Sequence, residues 1–71
     1  MAARDGDFAS SLRMYRAKAD LSQGALAELV GVDVASIQNW ENGDYMPTMR
    51  TAIKLADVLG VTLDQLAGLE G

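Results

Sequence analysis

"LSQGALAELVGVDVASIQNWENG", residues 21–43, holds two short apolar-periodic runs separated by a single glycine. Each run opens on the same device. An aliphatic residue precedes a polar capping residue, and a second aliphatic residue follows four positions after the cap. Leu21-Ser22 pairs in this way with Leu26, and Val32-Asp33 with Ile37, which is the pattern of a side-chain cap plus a hydrophobic staple. Each run closes on a glycine, Gly31 and then Gly43, which can take the left-handed backbone that ends a helix. The reading is a helix over 23–30 and a second over 34–42, with only "GVD" between them. Helices of this length are marginal alone in water, so both must lean on the rest of the chain. Two short helices joined by a tight glycine turn form a helix-turn-helix.

The same punctuation extends outward. Thr48 after Pro47 is a further cap, Gly60 a further helix end, and Val61-Thr62 pairs with Leu66, where "TLDQ" at 62–65 adds a reciprocal capping box. Three more helices follow, over 7–19, 49–59 and 63–68. Phe8, Leu12 and Tyr15 share one face of the first, and Ala52, Leu55, Ala56 and Leu59 one face of the fourth. No segment alternates as a strand. The expectation is an all-α fold in a single domain over 1–71, with 1–6 as a flexible arm.

Composition narrows the function. The 71 residues include no cysteine and no histidine, which removes disulfides, thiolate or imidazole metal sites and the usual nucleophile and general-base partners. Ser10, Ser11, Ser22 and Ser36 have no histidine to activate them, and the "DGD" at 5–7 lacks the spacing of a calcium loop. No enzyme, cofactor or metal is expected. The opening "MAARDGDF" has no apolar run, so neither a secretory signal nor a membrane span is read there, and a cytoplasmic protein is expected.

The stretch 21–68, "LSQGALAELVGVDVASIQNWENGDYMPTMRTAIKLADVLGVTLDQLAG", resembles the Cro/repressor-type, xenobiotic-response-element-like helix-turn-helix family. The resemblance rests on "LSQ" with Ala27, on Gly31, on "SIQNWENG", on Pro47 and on "KLADVLGVTLDQL". It implies a compact five-helix, lambda-repressor-like DNA-binding domain with its third helix in the major groove. It also implies a homodimer on a two-fold symmetric double-stranded DNA operator, as in related docking geometries. An internal ion pair between Arg16 and Glu41 is implied as well.

Helical geometry then separates structure from reading. If Ile37 and Trp40 face inward, with Trp40 in the core, the exposed arc of the third helix is Val34, Ala35, Ser36, Gln38 and Asn39. The amides of Gln38 and Asn39 match an adenine edge, Val34 or Ala35 a thymine methyl, and Ser36 a base or phosphate. For phosphate, the resemblance implies Gln23 at the start of the second helix, and further candidates are Asn42 and Gly43 at the end of the third and Arg50 and Lys54 in the fourth. Leu63, Leu69, Tyr45 and Met46 exceed what a small core needs and are candidates for a dimer surface.

Charge opposes this reading. From Asp20 to Asp44 the chain carries Asp20, Glu28, Asp33, Glu41 and Asp44 with no lysine or arginine, a local formal charge of -5. The remaining six cations and five acids sum to +1, and the whole chain to -4. If Arg16 neutralises Glu41 and Asp33 is tied up as a cap, Asp20, Glu28 and Asp44 remain. Two functions therefore stand: a sequence-specific, repressor-like DNA-binding transcriptional regulator, or a protein-interaction module on the same fold, such as an antirepressor, with weak or no DNA binding.

Overall fold

The computed structural model describes residues 4–68, with side chains from residue 8 onward. Five helices follow in order: α1 (Arg4–Lys18), α2 (Gln23–Val30), α3 (Val34–Asn42), α4 (Met49–Leu59) and α5 (Leu63–Ala67). There is no strand among the described residues. The helix-turn-helix lies at α2 and α3 as the sequence indicates. α1 begins at Arg4 rather than near residue 7, so positions 4–6 of the expected arm are helical. Residues 1–3, and Leu69 with the last two residues, lie outside the described residues.

The caps explain where the elements begin. The Ser22 hydroxyl accepts from the Ala25 N–H at 3.0 Å, and the Thr48 hydroxyl accepts from the Thr51 N–H at 3.3 Å. At α5 the box is closed in both directions: Gln65 N–H donates to the Thr62 hydroxyl at 3.0 Å, and Thr62 N–H to the Gln65 amide oxygen at 2.9 Å. Asp33 departs from expectation. It occupies the cap position of α3 with extended backbone, yet its side chain accepts no capping bond. α2 and α3 end on Gly31 and Gly43 with φ of 85° and 81°, a region that side chains with a Cβ enter only at a cost. α1 makes its turn at Asp20 instead, a non-glycine residue at φ 60°.

The core is one cluster drawn from all five helices. Phe8 and Leu12 come from α1, Leu26, Ala27 and Val30 from α2, Ile37 and Trp40 from α3, Leu55 and Ala56 from α4, and Leu66 from α5. Trp40 is 8% exposed, a core residue rather than a stacking platform. The staple residues Leu21, Val32 and Val61 pack against this cluster from its edge. α3 rests chiefly on α1 and α2, while α5 rests on α1 and α4. α3 is therefore held from behind and its far side is left to solvent.

Candidate nucleic-acid interface

The anchor of α3 is Glu41, a charged side chain only 2% exposed in the last turn of the helix. Such a burial is tolerable only when every carboxylate oxygen is satisfied. Arg16 supplies two bonds in a fork, Nε to Oε2 at 2.6 Å and Nη2 to Oε1 at 3.2 Å. Its third donor, Nη1, reaches the carbonyl of Leu21 at 2.9 Å, tying the loop before α2 to the same group. Gln23 Nε2 donates to Glu41 Oε1 at 3.0 Å. Donating to the Glu41 carboxylate raises the Arg16 pKa above the ordinary arginine range; desolvation opposes this and Coulombic attraction to Glu41 adds to it. One carboxylate thus joins α1, the start of α2 and the end of α3.

A second α1 cation also reaches this helix end. Arg13 Nη1 donates to the backbone carbonyl of Glu41, one of the last α3 carbonyls that lack an intrahelical partner. A guanidinium at a helix C-terminus is favourably placed against the helix dipole. Arg13 was not among the residues singled out from sequence. Its position three residues before Arg16, on the same face of α1, was the available signal.

Beyond this anchor, the outward face of α3 is small and polar. Val34, Ala35 and Gln38 are exposed, and Ser36 and Asn39 are half-buried. Among the described residues, the Gln38 and Asn39 amides have no protein hydrogen-bond partner, so their donors and acceptors remain for water or a ligand.

The phosphate candidates separate into different environments. Gln23 is half-buried, with one amide N–H committed to Glu41. As the first residues of α2, Gln23 and Gly24 also present backbone N–H groups that have no acceptor within the helix. Asn42 is exposed beside the anchor. Gly43 offers no donor: its N–H is spent on the carbonyls of Asn39 and Trp40 in the α3 cap, and the Asp44 N–H also goes to Asn39. Arg50 and Lys54 lie together in a groove between α4 and α5 that also includes Asp57. The Lys54 ammonium approaches the turn between α2 and α3, 3.9 Å from where a Cβ on Gly31 would stand. A cation there faces the carbonyl end of α2.

This arrangement changes the charge count around the motif. Arg13, Arg16 and Lys54 arrive from outside the stretch that contains no cation. Asp33, however, is not occupied as a cap, so its carboxylate joins Asp20, Glu28 and Asp44 on the exposed surface. Among the described residues, no ion pair compensates Asp33 at the start of α3. Among the described residues, no group of three or more acidic side chains gathers into a metal site.

A separate apolar area covers the start of α4 and α5. Met46, Met49 and Ile53 are 55%, 69% and 51% exposed, and Leu63 is 37% exposed beside them. A groove of about 340 Å³ runs between Met46, Met49 and Leu63 down to Phe8 and Leu66. Tyr45 is exposed next to it. Met49 and Ile53, four residues apart, were missing from the sequence-based surface, although both fall outside the core-facing positions of α4.

With this geometry in place, comparison with known proteins identifies the frame. The helix-turn-helix family HTH_3 matches residues 12–66. Over 47 residues the chain is 34% identical to the transcriptional repressor RstR of a cryptic phage in Vibrio cholerae, a match covering 66% of this chain and 42% of that protein. The restriction-modification controller protein C.AhdI from Aeromonas hydrophila superposes with a TM-score of 0.84 at 31% identity, covering 92% of this chain and 98% of the other. The same fold also forms one part of a larger protein, the hydroxypropylphosphonic acid epoxidase from S. wedmorenis. There the TM-score is 0.81 at 30% identity over 87% of this chain but 33% of the epoxidase. On the match from Leu12 to Leu66, reinforced by these likenesses, the chain belongs to the Cro/C1-type helix-turn-helix family.

Proposed function

We propose that this chain is a sequence-specific, repressor-like transcriptional regulator that binds double-stranded DNA with α3 in the major groove and carries out no reaction of its own. The observation that carries the reading is the division of α3 into two sides. Ile37, Trp40 and Glu41 are buried against α1 and α2, while Gln38 and Asn39 present amides that have no side-chain hydrogen-bond partner among the described residues. Such amides match the donor and acceptor on an adenine edge, and Val34 or Ala35 can meet a thymine methyl. The free backbone N–H groups of Gln23 and Gly24, with the remaining amide N–H of Gln23, suit a phosphate flanking that groove. Arg50 and Asn42 are the further backbone contacts of this reading.

A homodimer on a two-fold operator supplies the second half-site. Met46, Met49, Ile53 and Leu63, all exposed, form the apolar surface assigned to it. A cytoplasmic location follows from access to DNA. No helix among the described residues is long and apolar enough to cross a membrane.

Exposed Asp33 and Asp44 favour the second reading, an interaction module for a protein partner. The fold's presence as one third of an epoxidase shows that it also serves within larger proteins. Fluorescence anisotropy with a labelled pool of random duplexes, from low to physiological salt, separates the two. If each subunit neutralises about two phosphates, log affinity falls with log salt at a slope of about -3.6 for the dimer. Salt-independent nanomolar binding contradicts the charge argument. No binding at low salt by folded protein selects the interaction module.

A further inference from the structure

Gln23 connects the buried ion pair to the proposed phosphate contact, and its amide orientation is fixed by chemistry rather than by fit alone. A carboxylate can only accept, so the atom 3.0 Å from Glu41 Oε1 must be the amide nitrogen. One of its two N–H groups is thereby used, and the amide oxygen is turned away from Glu41. The acceptor is itself immobile, because Arg16 grips both carboxylate oxygens and Glu41 is buried. The Arg16 charge also offsets the Glu41 charge, which would otherwise repel a phosphate approaching the same amide.

We propose that Glu41 is a positioning residue for DNA binding: held by Arg16, it fixes the Gln23 side chain so that the second amide N–H meets a phosphate together with the N-terminal backbone of α2. This rests on the DNA-binding reading above and adds a role for the ion pair beyond fastening α3. A long, unbranched glutamine on a partly exposed helix start otherwise loses rotamer freedom when it binds. Pre-ordering removes that loss before the ligand arrives. The assignment also accounts for three donors from two elements converging on one buried carboxylate, when two from Arg16 would anchor the helix.

The test uses the full chain and the random duplex pool at low salt. Glu41 is removed without stranding a charge by the paired substitution Arg16→Met/Glu41→Leu, because apolar replacement of a whole buried pair is generally tolerated. Gln23→Ala alone should weaken duplex binding by about tenfold for each subunit bound, the scale of one hydrogen bond to a charged group. The paired variant should lose a similar factor while remaining folded, and adding Gln23→Ala to it should cost less than about twofold more, the sign of a shared contribution. The salt slope should be the same in all three variants, since none removes a cation assigned to phosphate.

If the paired variant binds like the unmodified protein and Gln23→Ala costs the same in both backgrounds, the ion pair is only a fastener and the positioning role is overturned. A second measurement needs no variant. In nuclear magnetic resonance of the free protein, the Gln23 amide protons should be shifted apart and protected from exchange, with contacts to the Glu41 side chain. Averaged, freely exchanging Gln23 protons overturn the proposal. Failure of the unmodified protein to retain any duplex at low salt overturns the DNA-binding reading and this role together, whereas binding with additive losses overturns this role alone.

Discussion

Replacing Glu41 by alanine should come close to unfolding the domain. The substitution removes both acceptors of the Arg16 fork and the acceptor of Gln23, three hydrogen bonds in all. The guanidinium is left in place, partly desolvated, with only the Leu21 carbonyl still bound. Breaking one side of a buried pair costs about 3–5 kcal/mol. The bond from Arg13 ends on the Glu41 backbone and survives, which argues for the lower half of that range. A 71-residue domain at the usual stability per residue holds about 4–11 kcal/mol in total. The loss is therefore a large share of the whole, and with a urea slope of about 1 kcal/mol/M it moves the midpoint by about 3 M or abolishes the folded baseline. Urea titration followed by far-ultraviolet circular dichroism reads this directly. Arg16→Met/Glu41→Leu is the control, expected to unfold near the midpoint of the unmodified protein. A loss below about 1 kcal/mol for Glu41→Ala is what an exposed pair gives, and it would refute the buried-anchor reasoning.

Two further substitutions test how the frame is built. Leu26 is fully buried at the junction of α2 with the core, so Leu26→Ala should lower stability by about 2–5 kcal/mol in the same titration. Asp20 holds a left-handed backbone, so Asp20→Val should destabilise by about 1 kcal/mol or more, whereas Asp20→Asn and Asp20→Gly should stay within about 0.5 kcal/mol of the original. Equal effects of valine and asparagine at that position would show that the turn does not depend on its backbone conformation.

Much of the frame was legible because local signals agreed with one another. Ser22, Thr48 and Thr62 cap in the structure as their sequence contexts suggest, and Gly31, Gly43 and Gly60 end helices in the left-handed region. These are short-range features, decided within four or five residues of chain. Asp33 shows the limit of that reasoning: it stands at the cap position, but the choice of its side chain between the helix and water is not written in the neighbouring residues. The end of α1, with its left-handed residue at Asp20, has no glycine to announce it.

The site was less legible, because it depends on what arrives from elsewhere in the chain. A count of charge along residues 20–44 does not show that Arg13 and Lys54 reach the ends of α3 and α2, one from α1 and one from α4. The pairing of Arg16 with Glu41 came from family resemblance, and the addition of Gln23 to it came only from the folded geometry. The residues for base reading followed from helical phase alone once Ile37 and Trp40 were placed inside. What they read is a question of chemistry with DNA.

Selection of bound sites from random duplex DNA is therefore the most direct test of the central claim, performed on the unmodified chain and on Gln38→Ala/Asn39→Ala. The α3 surface predicts enrichment of a two-fold symmetric motif with adenine-containing half-sites, and loss of preference at those positions in the variant while weak general binding persists. Enrichment of the same motif by both proteins, or of no motif by the folded unmodified chain, would contradict it.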